Sequence, residues 1–341
     1  MRRCGHSTGI DADCGDARKD RRACLRLVLA VHLLVVWHDP DAASGAADSS
    51  RLANAGRAAS TVGEAPTPPV DGIRDNSFLI EEAYNQEMGV VQHIFTSLFG
   101  LRQQGSADER SWDLSFTQEW PVFSQAHQLS YTVPYAFLDD EGEHGSGLGD
   151  MLLNYRYQLT MEAGAWPAIS PRFSLIFPSG DDDRGFGNGV LGYQFNFPLS
   201  KTLTDRLYAN LNAGLTFLPG TQFELSDGRR SEEKDLLHFS VGGSLIYAVT
   251  ETLNLMIEAV GNFDQELKES ATPSGRGLRL DRRRGSDVVV SPGVRWAMNL
   301  PDDLQMVYGV AVPIGVTDEA IDYGVFLYLS IEHPFHRGKT E

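Results

Sequence analysis

The sequence predicts an all-β fold, a transmembrane antiparallel up-and-down β-barrel of about 12 strands. Three observations predict this fold. Apolar and aromatic residues alternate with polar ones in runs of about ten residues. Short connections between the runs alternate with longer ones. The chain closes on an apolar and aromatic stretch, Gly324–Leu329 followed by Phe335, which is typical of the C-terminal strand signal of bacterial outer-membrane barrels.

The alternation has the two-residue period of a strand, in which successive side chains point to opposite faces. In one run, Leu129, Tyr131 and Val133 share a face while Ser130 and Thr132 share the other. Runs of this kind predict strands near residues 88–100, 110–121, 126–138, 148–160, 167–178, 188–200, 205–218, 236–249, 252–264, 286–299, 303–314 and 321–332.

Connection lengths favour a membrane barrel over a soluble sandwich, which alternation alone would also fit. An even number of strands with short turns on one side and long loops on the other is typical of outer-membrane barrels. We therefore expect long loops such as 265–285 outside the cell and turns such as 250–251 in the periplasm. Trp112, Trp120 and Trp296 near strand ends fit an interfacial girdle.

Prolines within the predicted strands oppose the barrel, because a closed sheet has no edge at which a missing N–H donor is harmless. Pro134, Pro171 and Pro292 are the three cases. We expect local bulges to accommodate them.

The N-terminus predicts export. Residues 1–47 combine a long basic region, an apolar run and small residues, as in a secretory signal peptide. Residues 48–76 have too few apolar residues to fold and are expected to be a disordered periplasmic leader. The barrel is expected to span 77–335, with 336–341 as a C-terminal tail. Because all three cysteines lie in the first 24 residues, no cysteine chemistry is expected in the mature chain.

Charge limits the partners of the protein. A net charge of −17 argues against nucleic acid, since phosphate binding needs clustered lysine and arginine. We expect instead outer-membrane lipids, small-molecule solutes and, during biogenesis, the barrel-assembly machinery. No phosphate-loop or dinucleotide motif stands between a strand and a helix, so neither an enzyme nor a nucleotide or redox cofactor is expected.

Charged residues on the polar faces of the strands are expected to line the lumen, where such groups tune selectivity in outer-membrane barrels. An alternative is that they only neutralise one another across a wet interior. These candidates are Glu119, Arg156, Arg172, Glu258 and Arg295. Glu258 and Arg295 lie on successive strands and are expected to pair.

Residues 77–87 precede the first lipid-facing run and carry Glu81, Glu82 and Tyr84. Several carboxylates so close together would be costly in the hydrocarbon layer. We therefore expect this segment to fold into the periplasmic mouth as a constriction, with Glu81 or Glu82 meeting a lumen arginine. The alternative is a disordered extension of the leader.

Three further motifs have a functional and a simpler interpretation. His238 and Ser240 share a face that points into the lumen, so hydrogen bonding there is favoured over catalysis on lipids. The acidic loops 139–143 and 181–183 could bind calcium, but solvated loops are commoner. The run Arg282–Arg284 on the longest loop could bind lipopolysaccharide phosphates or be a solvated charge cluster.

Several short motifs, taken in order, resemble one family. They are Phe78–Glu87 with Gly89–His93, then Phe116–Pro121, Gly147–Asp150, Asn154–Tyr157 and Phe177–Asp181. Together, over residues 77–335, they resemble the outer-membrane transporters grouped with the phenol-degradation meta-pathway. The resemblance implies an outer-membrane barrel for uptake of small organic, including aromatic, compounds.

Three functions compete at this point. The first is a passive channel with a narrow lumen, since about twelve strands lie between filled small barrels and open porins. The second is a plugged structural or adhesive barrel that acts through its outer loops, and the third is a lipid-modifying enzyme. Conductance separates the first two, and a lipid-hydrolysis assay tests the third.

Overall fold

The structure is a computed structural model that describes residues 73, 75, 77–104, 107–140, 143–222, 230–271 and 278–334. The predictions for 1–47, for the cysteines, for most of 48–76, and for Phe335 and the tail 336–341 concern residues outside this description. No helix in the described part of the chain is long and apolar enough to cross a membrane.

In the described residues, sixteen strand segments form one antiparallel sheet. They are β1 (Val90–Gln104), β2 (Ala107–Val122), β3 (Ser124–Asp140), β4 (Glu143–Leu148), β5 (Met151–Tyr157), β6 (Ala168–Ile169), β7 (Arg172–Phe177), β8 (Gly192–Asn196), β9 (Leu199–Thr204), β10 (Leu207–Thr221), β11 (Lys234–Thr250), β12 (Leu253–Ala271), β13 (Leu278–Leu300), β14 (Leu304–Ala311), β15 (Ile314–Gly315) and β16 (Tyr323–Pro334). Four crossings are split into β4/β5, β6/β7, β8/β9 and β14/β15.

The sheet closes on itself, because β1 pairs with β16 along its length, from Val90 opposite Pro334 to Leu101 opposite Tyr323. With the split strands joined, the chain crosses the barrel 12 times. The predicted 12-stranded antiparallel barrel is confirmed. Closure satisfies the backbone hydrogen bonds that an open edge would leave unpaired.

The two faces of each strand differ as the alternation predicts. On the outer wall, Leu211 and Leu255 are 58% and 53% exposed, while their lumen-facing neighbours Asn210 and Asn254 are 1% and 0% exposed. Such a continuous apolar outer surface would be unfavourable in water and is matched to hydrocarbon. The outer wall is therefore the lipid-facing surface of a membrane barrel.

The barrel has two distinct ends. The turn end carries the short connections 205–206, 251–252 and 301–303, together with Val90 and Pro334. The loop end carries the long connections. The predicted loop 265–285 is wrong in its bounds, because β12 and β13 continue pairing out to Ala271 and Leu278. Beyond the bilayer, apolar alternation ends, so hydrophobicity could not reveal these extensions.

Breaks in strands accommodate the prolines, and the break opposite Pro134 carries the predicted bulge, because three steps along β3 match four steps along β4 and β5 there. Pro171 lies in the gap between β6 and β7. Pro134 and Pro292 stay within β3 and β13, and their neighbouring strands are interrupted opposite them, at the β4/β5 and β14/β15 breaks. There Gly149 N donates to Pro134 O at 2.9 Å, and Val312 N donates to Pro292 O at 3.0 Å. The missing N–H of proline thus falls where the ladder is already interrupted.

Candidate functional site

Most of the described residues that precede β1 lie inside the barrel. We call residues 73, 75 and 77–87 the inserted segment. Ile73, Phe78 and Glu81 are 0%, 1% and 3% exposed. Because Ile73 and Asp75 are already buried in the lumen, the inserted segment starts before residue 77, the boundary that the sequence predicted.

Glu258 on β12 holds the backbone of the inserted segment. Its Oε1 accepts hydrogen bonds from the amides of Phe78, Leu79 and Ile80 at 3.1, 3.0 and 3.2 Å. Three consecutive N–H groups around one carboxylate form an anion-binding nest. A lumen residue of β12 therefore sets the path of the segment across the barrel.

Arg172 on β7 binds the first carboxylate of the segment. Its Nε and Nη2 donate to Oε1 of Glu81 at 2.9 and 2.6 Å. Asn212 on β10 completes the grip, because its side-chain amide accepts from Glu81 N and donates to Glu81 O, both at 2.8 Å. Side chain and backbone of Glu81 are thus fixed from two walls.

Arg295 and Arg156 bind the segment on either side of Glu82. Arg295 donates to the Asp75 carbonyl at 2.8 Å and to Oε1 of Glu82 at 3.4 Å. Arg156 donates to the Glu82 carbonyl and, at 2.7 Å, to Ser170. The expected ion pair between Glu258 and Arg295 is wrong. Both residues bind the segment, and their register places them opposite Ser291 and Asn254.

Glu119 on β2 is fully buried in the lumen, opposite Gln92 and Ser130 of the adjoining strands. It belongs to a polar row that winds through the lumen, because strands tilt relative to the barrel axis. In register order, the row is Gln92, Glu119, Ser130, Asn154, Ser174, Gln194, Thr216, His238 and Asp264.

Tyr84 anchors the segment at the turn end. Its hydroxyl donates to Oε2 of Glu162 at 2.8 Å. Glu162 lies in the connection after β5, where it also accepts from Lys201 and from the amide of Thr202. Burial alone would raise the pKa of the Glu162 carboxyl, but these donors outweigh it and hold that pKa below its ordinary value. A charged carboxylate is therefore the form that latches Tyr84.

Phe78 occupies an aromatic pocket in the lumen wall. Its ring lies 5.5 Å from Phe326 and 5.4 Å from Tyr328, centroid to centroid. A Cβ added at Gly309 would overlap the Phe78 ring. The pocket continues into an apolar lumen surface contributed by β11 to β16 and β1, which includes Ile94, Ile246, Met256, Val260, Val289, Val307 and Ile321. This side of the lumen therefore carries an apolar patch, on strands that also contribute buried charged groups such as Glu258 and Arg295.

Sequence reasoning missed several residues that hold the segment. Gln92 and Tyr328 both donate to Oδ1 of Asp75, at 2.8 and 2.6 Å. Gln158 accepts from Asn85 N at 3.0 Å and donates to Ala83 O at 2.8 Å. One signal was available, since Phe326 and Tyr328 are aromatic residues on the lumen face of the last strand. The neutral polar residues have no signal that separates them from ordinary lumen lining.

Two of the remaining motifs have partners among the described side chains. Nδ1 of His238 lies 2.7 Å from Oδ1 of Asp264, and Ser240 lies in the next register row, opposite Asn262. Asp182 and Asp183 both pair with Arg230, at 3.3 and 2.9 Å. The side chains of Arg282–Arg284 fall outside the description, although their backbone belongs to β13.

Comparison with known protein families shows which family the chain belongs to. Residues 85–328 match the family described as "Putative MetA-pathway of phenol degradation". The chain belongs to this family. The match includes β1 to β15, the first half of β16 and the last part of the inserted segment. The resemblance inferred from the short motifs is confirmed. No curated protein matches the chain significantly.

One solved outer-membrane channel shares the fold of this family member, and two further channels align with lower scores. The COG4313 outer membrane channel from Pseudomonas putida F1 aligns with a TM-score of 0.54 at 12% identity, covering 74% of this chain and 97% of that one. The TodX monoaromatic hydrocarbon channel, a deletion mutant, gives 0.38 at 10% identity, covering 73% and 91%. The NanC porin gives 0.38 at 11% identity, covering 70% and 98%.

Proposed function

We propose that this protein is an outer-membrane channel for passive uptake of small organic compounds, aromatic ones included, and that the inserted segment constricts its lumen. The observation that carries the proposal is the apolar patch of the lumen around Phe78. Water-filled porins have a polar interior, whereas here Phe326 and Tyr328 form a pocket for the Phe78 ring. A wall that packs a phenyl side chain of the protein is suited to pass a compound with a similar ring.

Family membership supports the aromatic class, since the family description names phenol degradation. The charged residues of the lumen support a channel in which the inserted segment controls the passage of solutes. Arg172, Arg295 and Glu258 bind the inserted segment, so its displacement would expose them to a passing solute and let them act on selectivity.

The experiment compares the full chain with a variant lacking residues 77–87. Both are refolded and checked for heat-modifiable migration, then measured in planar bilayers and, in intact cells, for initial uptake of radiolabelled toluene. The deletion should raise single-channel conductance, and expression of the full chain should speed uptake. If the assembled deletion variant conducts like the full chain and neither speeds uptake, a structural or adhesive barrel is the better explanation.

Two partners belong to the same proposal. Arg282–Arg284 at the loop end would bind lipopolysaccharide phosphates, and β16 would present the C-terminal signal to the barrel-assembly machinery. Replacing the three arginines with glutamine should weaken protection of the loop end by lipopolysaccharide, measured as faster cleavage of a protease-sensitive tag inserted at Ser274. We propose no enzymatic role.

A further inference from the structure

Two histidines meet on the outer wall where the barrel closes. His93 lies on β1 and His333 on β16, the first and last strands, which pair with each other. Nε2 of His93 lies 3.2 Å from Nε2 of His333. The ring centroids are 5.3 Å apart, and the ring planes are inclined by 25°. The two imidazoles therefore meet nitrogen to nitrogen across the closing pair of strands.

The histidine pair faces the membrane near the turn end. Gln92 and Ile94, on either side of His93, are buried in the lumen, so the side chain of His93 points outward. The start of β1 is about 10 Å away along the strand. On the adjoining strands, Trp120 and Tyr131 form an aromatic pair with ring centroids 5.9 Å apart, as in an interfacial girdle. At this level, water and dissolved ions on the turn side of the membrane reach the pair.

The second nitrogen of His333 fixes the proton of that ring. Nδ1 of His333 lies 3.3 Å from the carbonyl oxygen of Pro334. Because a carbonyl oxygen only accepts hydrogen bonds, Nδ1 carries the proton, and Nε2 of the neutral ring has a lone pair. Histidines that bind metal ions almost always donate their other ring N–H to a carbonyl, a carboxylate or water. His333 is thus held in the tautomer that a metal ion needs.

His93 supplies a second nitrogen. Its Nε2–H donates to Nε2 of His333, and moving this proton to Nδ1 of His93 exposes a second lone pair without changing the number of protons. Zinc–nitrogen bonds are about 2.0–2.1 Å long, so two nitrogens on a tetrahedral ion lie about 3.4 Å apart. The observed 3.2 Å is close to this separation. A small turn of each ring would therefore aim both lone pairs at one ion.

We propose that His93 and His333 bind a Zn²⁺ ion that clamps β1 to β16. The described residues contain no cluster of three or more histidine, cysteine or acidic side chains around one point, so water completes the coordination. Imidazole suits zinc, whereas Mg²⁺ prefers oxygen ligands. Both ligands lie on the outer wall, so this site is independent of the proposed channel in the lumen.

The test measures the temperature at which the refolded full chain loses heat-modifiable migration. Zn²⁺ should raise this temperature by about 2 °C or more, because an ion bound only by the folded barrel stabilises it. Mg²⁺ at the same concentration should not raise it. His93→Gln and His333→Gln should each abolish the shift, and the double variant should match either single variant.

His127→Gln is the matched control, since His127 also lies at the turn end of the outer wall. Its Nδ1 lies 2.7 Å from the hydroxyl of Tyr155 rather than beside a second imidazole. This variant should keep the full zinc-dependent shift. An undiminished shift in both His93→Gln and His333→Gln would overturn the proposal.

Chemical labelling of the unaltered chain provides a second measurement that does not depend on the assembly of any variant. Diethyl pyrocarbonate modifies neutral imidazole nitrogens, and mass spectrometry of the peptides identifies each modified histidine. Zn²⁺ should reduce the labelling of His93 and His333 and leave that of His127 unchanged. Equal labelling of His93 and His333 with and without Zn²⁺ would leave only a hydrogen bond between the two rings.

Discussion

Arg172 and Glu81 form an ion pair inside the barrel, with Nη2 2.6 Å from Oε1 and the two side chains 1% and 4% exposed. One partner is on a wall strand and the other is on the inserted segment. Arg172 also donates to Asn154 at 3.1 Å. The pair therefore joins the segment to a hydrogen-bonded wall.

Removing Arg172 should release or destabilise the segment. Breaking one side of a buried pair leaves an uncompensated charge and costs about 3–5 kcal/mol. We expect Arg172→Gln to lower the free energy of unfolding by an amount in this range, or to raise conductance by freeing the segment. Arg206→Gln, in an exposed turn between β9 and β10, is the control. If urea unfolding and conductance of both variants match the unaltered chain, the pair does not hold the segment.

The fit of Phe78 against Gly309 gives a second prediction. Gly309→Ala should displace the ring, because the added methyl overlaps it, and overpacking of this kind typically costs about 1–3 kcal/mol. In a Phe78→Ala background the same change should cost less, since the space is vacant. A double-mutant cycle on unfolding free energy measures this difference. Additive effects would mean that the ring does not occupy the pocket.

The hydrogen bond between Tyr84 and Glu162, which we call the latch, should depend on pH. The pKa of Glu162 in the folded protein lies below the ordinary value of 4.5, so the stabilisation that this carboxylate provides is complete above that pH. This stabilisation is lost as the pH falls through the lowered pKa of Glu162 in the folded protein. We expect more frequent channel openings in planar bilayers under these acidic conditions.

The variant Glu162→Gln should open frequently at every pH, because it lacks the charge that binds Lys201 and Tyr84. Glu251→Gln, an exposed carboxylate in another turn, should behave like the unaltered chain. An acid response that survives in Glu162→Gln would assign the latch to another group.

The difference between the two ends predicts an orientation. A protease-cleavable tag inserted at Ser274, between β12 and β13, should be cut on intact cells, because long loops of such barrels face outward. A tag at Glu251 should be cut only after the outer membrane is permeabilised. The reverse pattern would place the turn end outside.

The sequence by itself determined the barrel and the face of each strand. One face of every strand contacts lipid, so each strand must place apolar residues on that face. This requirement fixes the alternation within a strand, as with Leu211 on the outer face and Asn210 on the lumen face. It also placed Arg156, Arg172, Glu258 and Arg295 in the lumen, because charge is excluded from the lipid face. The same reasoning put Glu81 and Glu82 away from hydrocarbon.

Tertiary structure decided which residues meet. Contacts across the lumen depend on strand tilt and register accumulated around the whole barrel, and neither is encoded in one strand. For this reason Glu258 binds the backbone of residues 78–80 rather than Arg295, and Tyr84 meets Glu162 from a connection 78 residues away. The breaks opposite Pro134 and Pro292 arise on neighbouring strands, so only the paired sheet could show them.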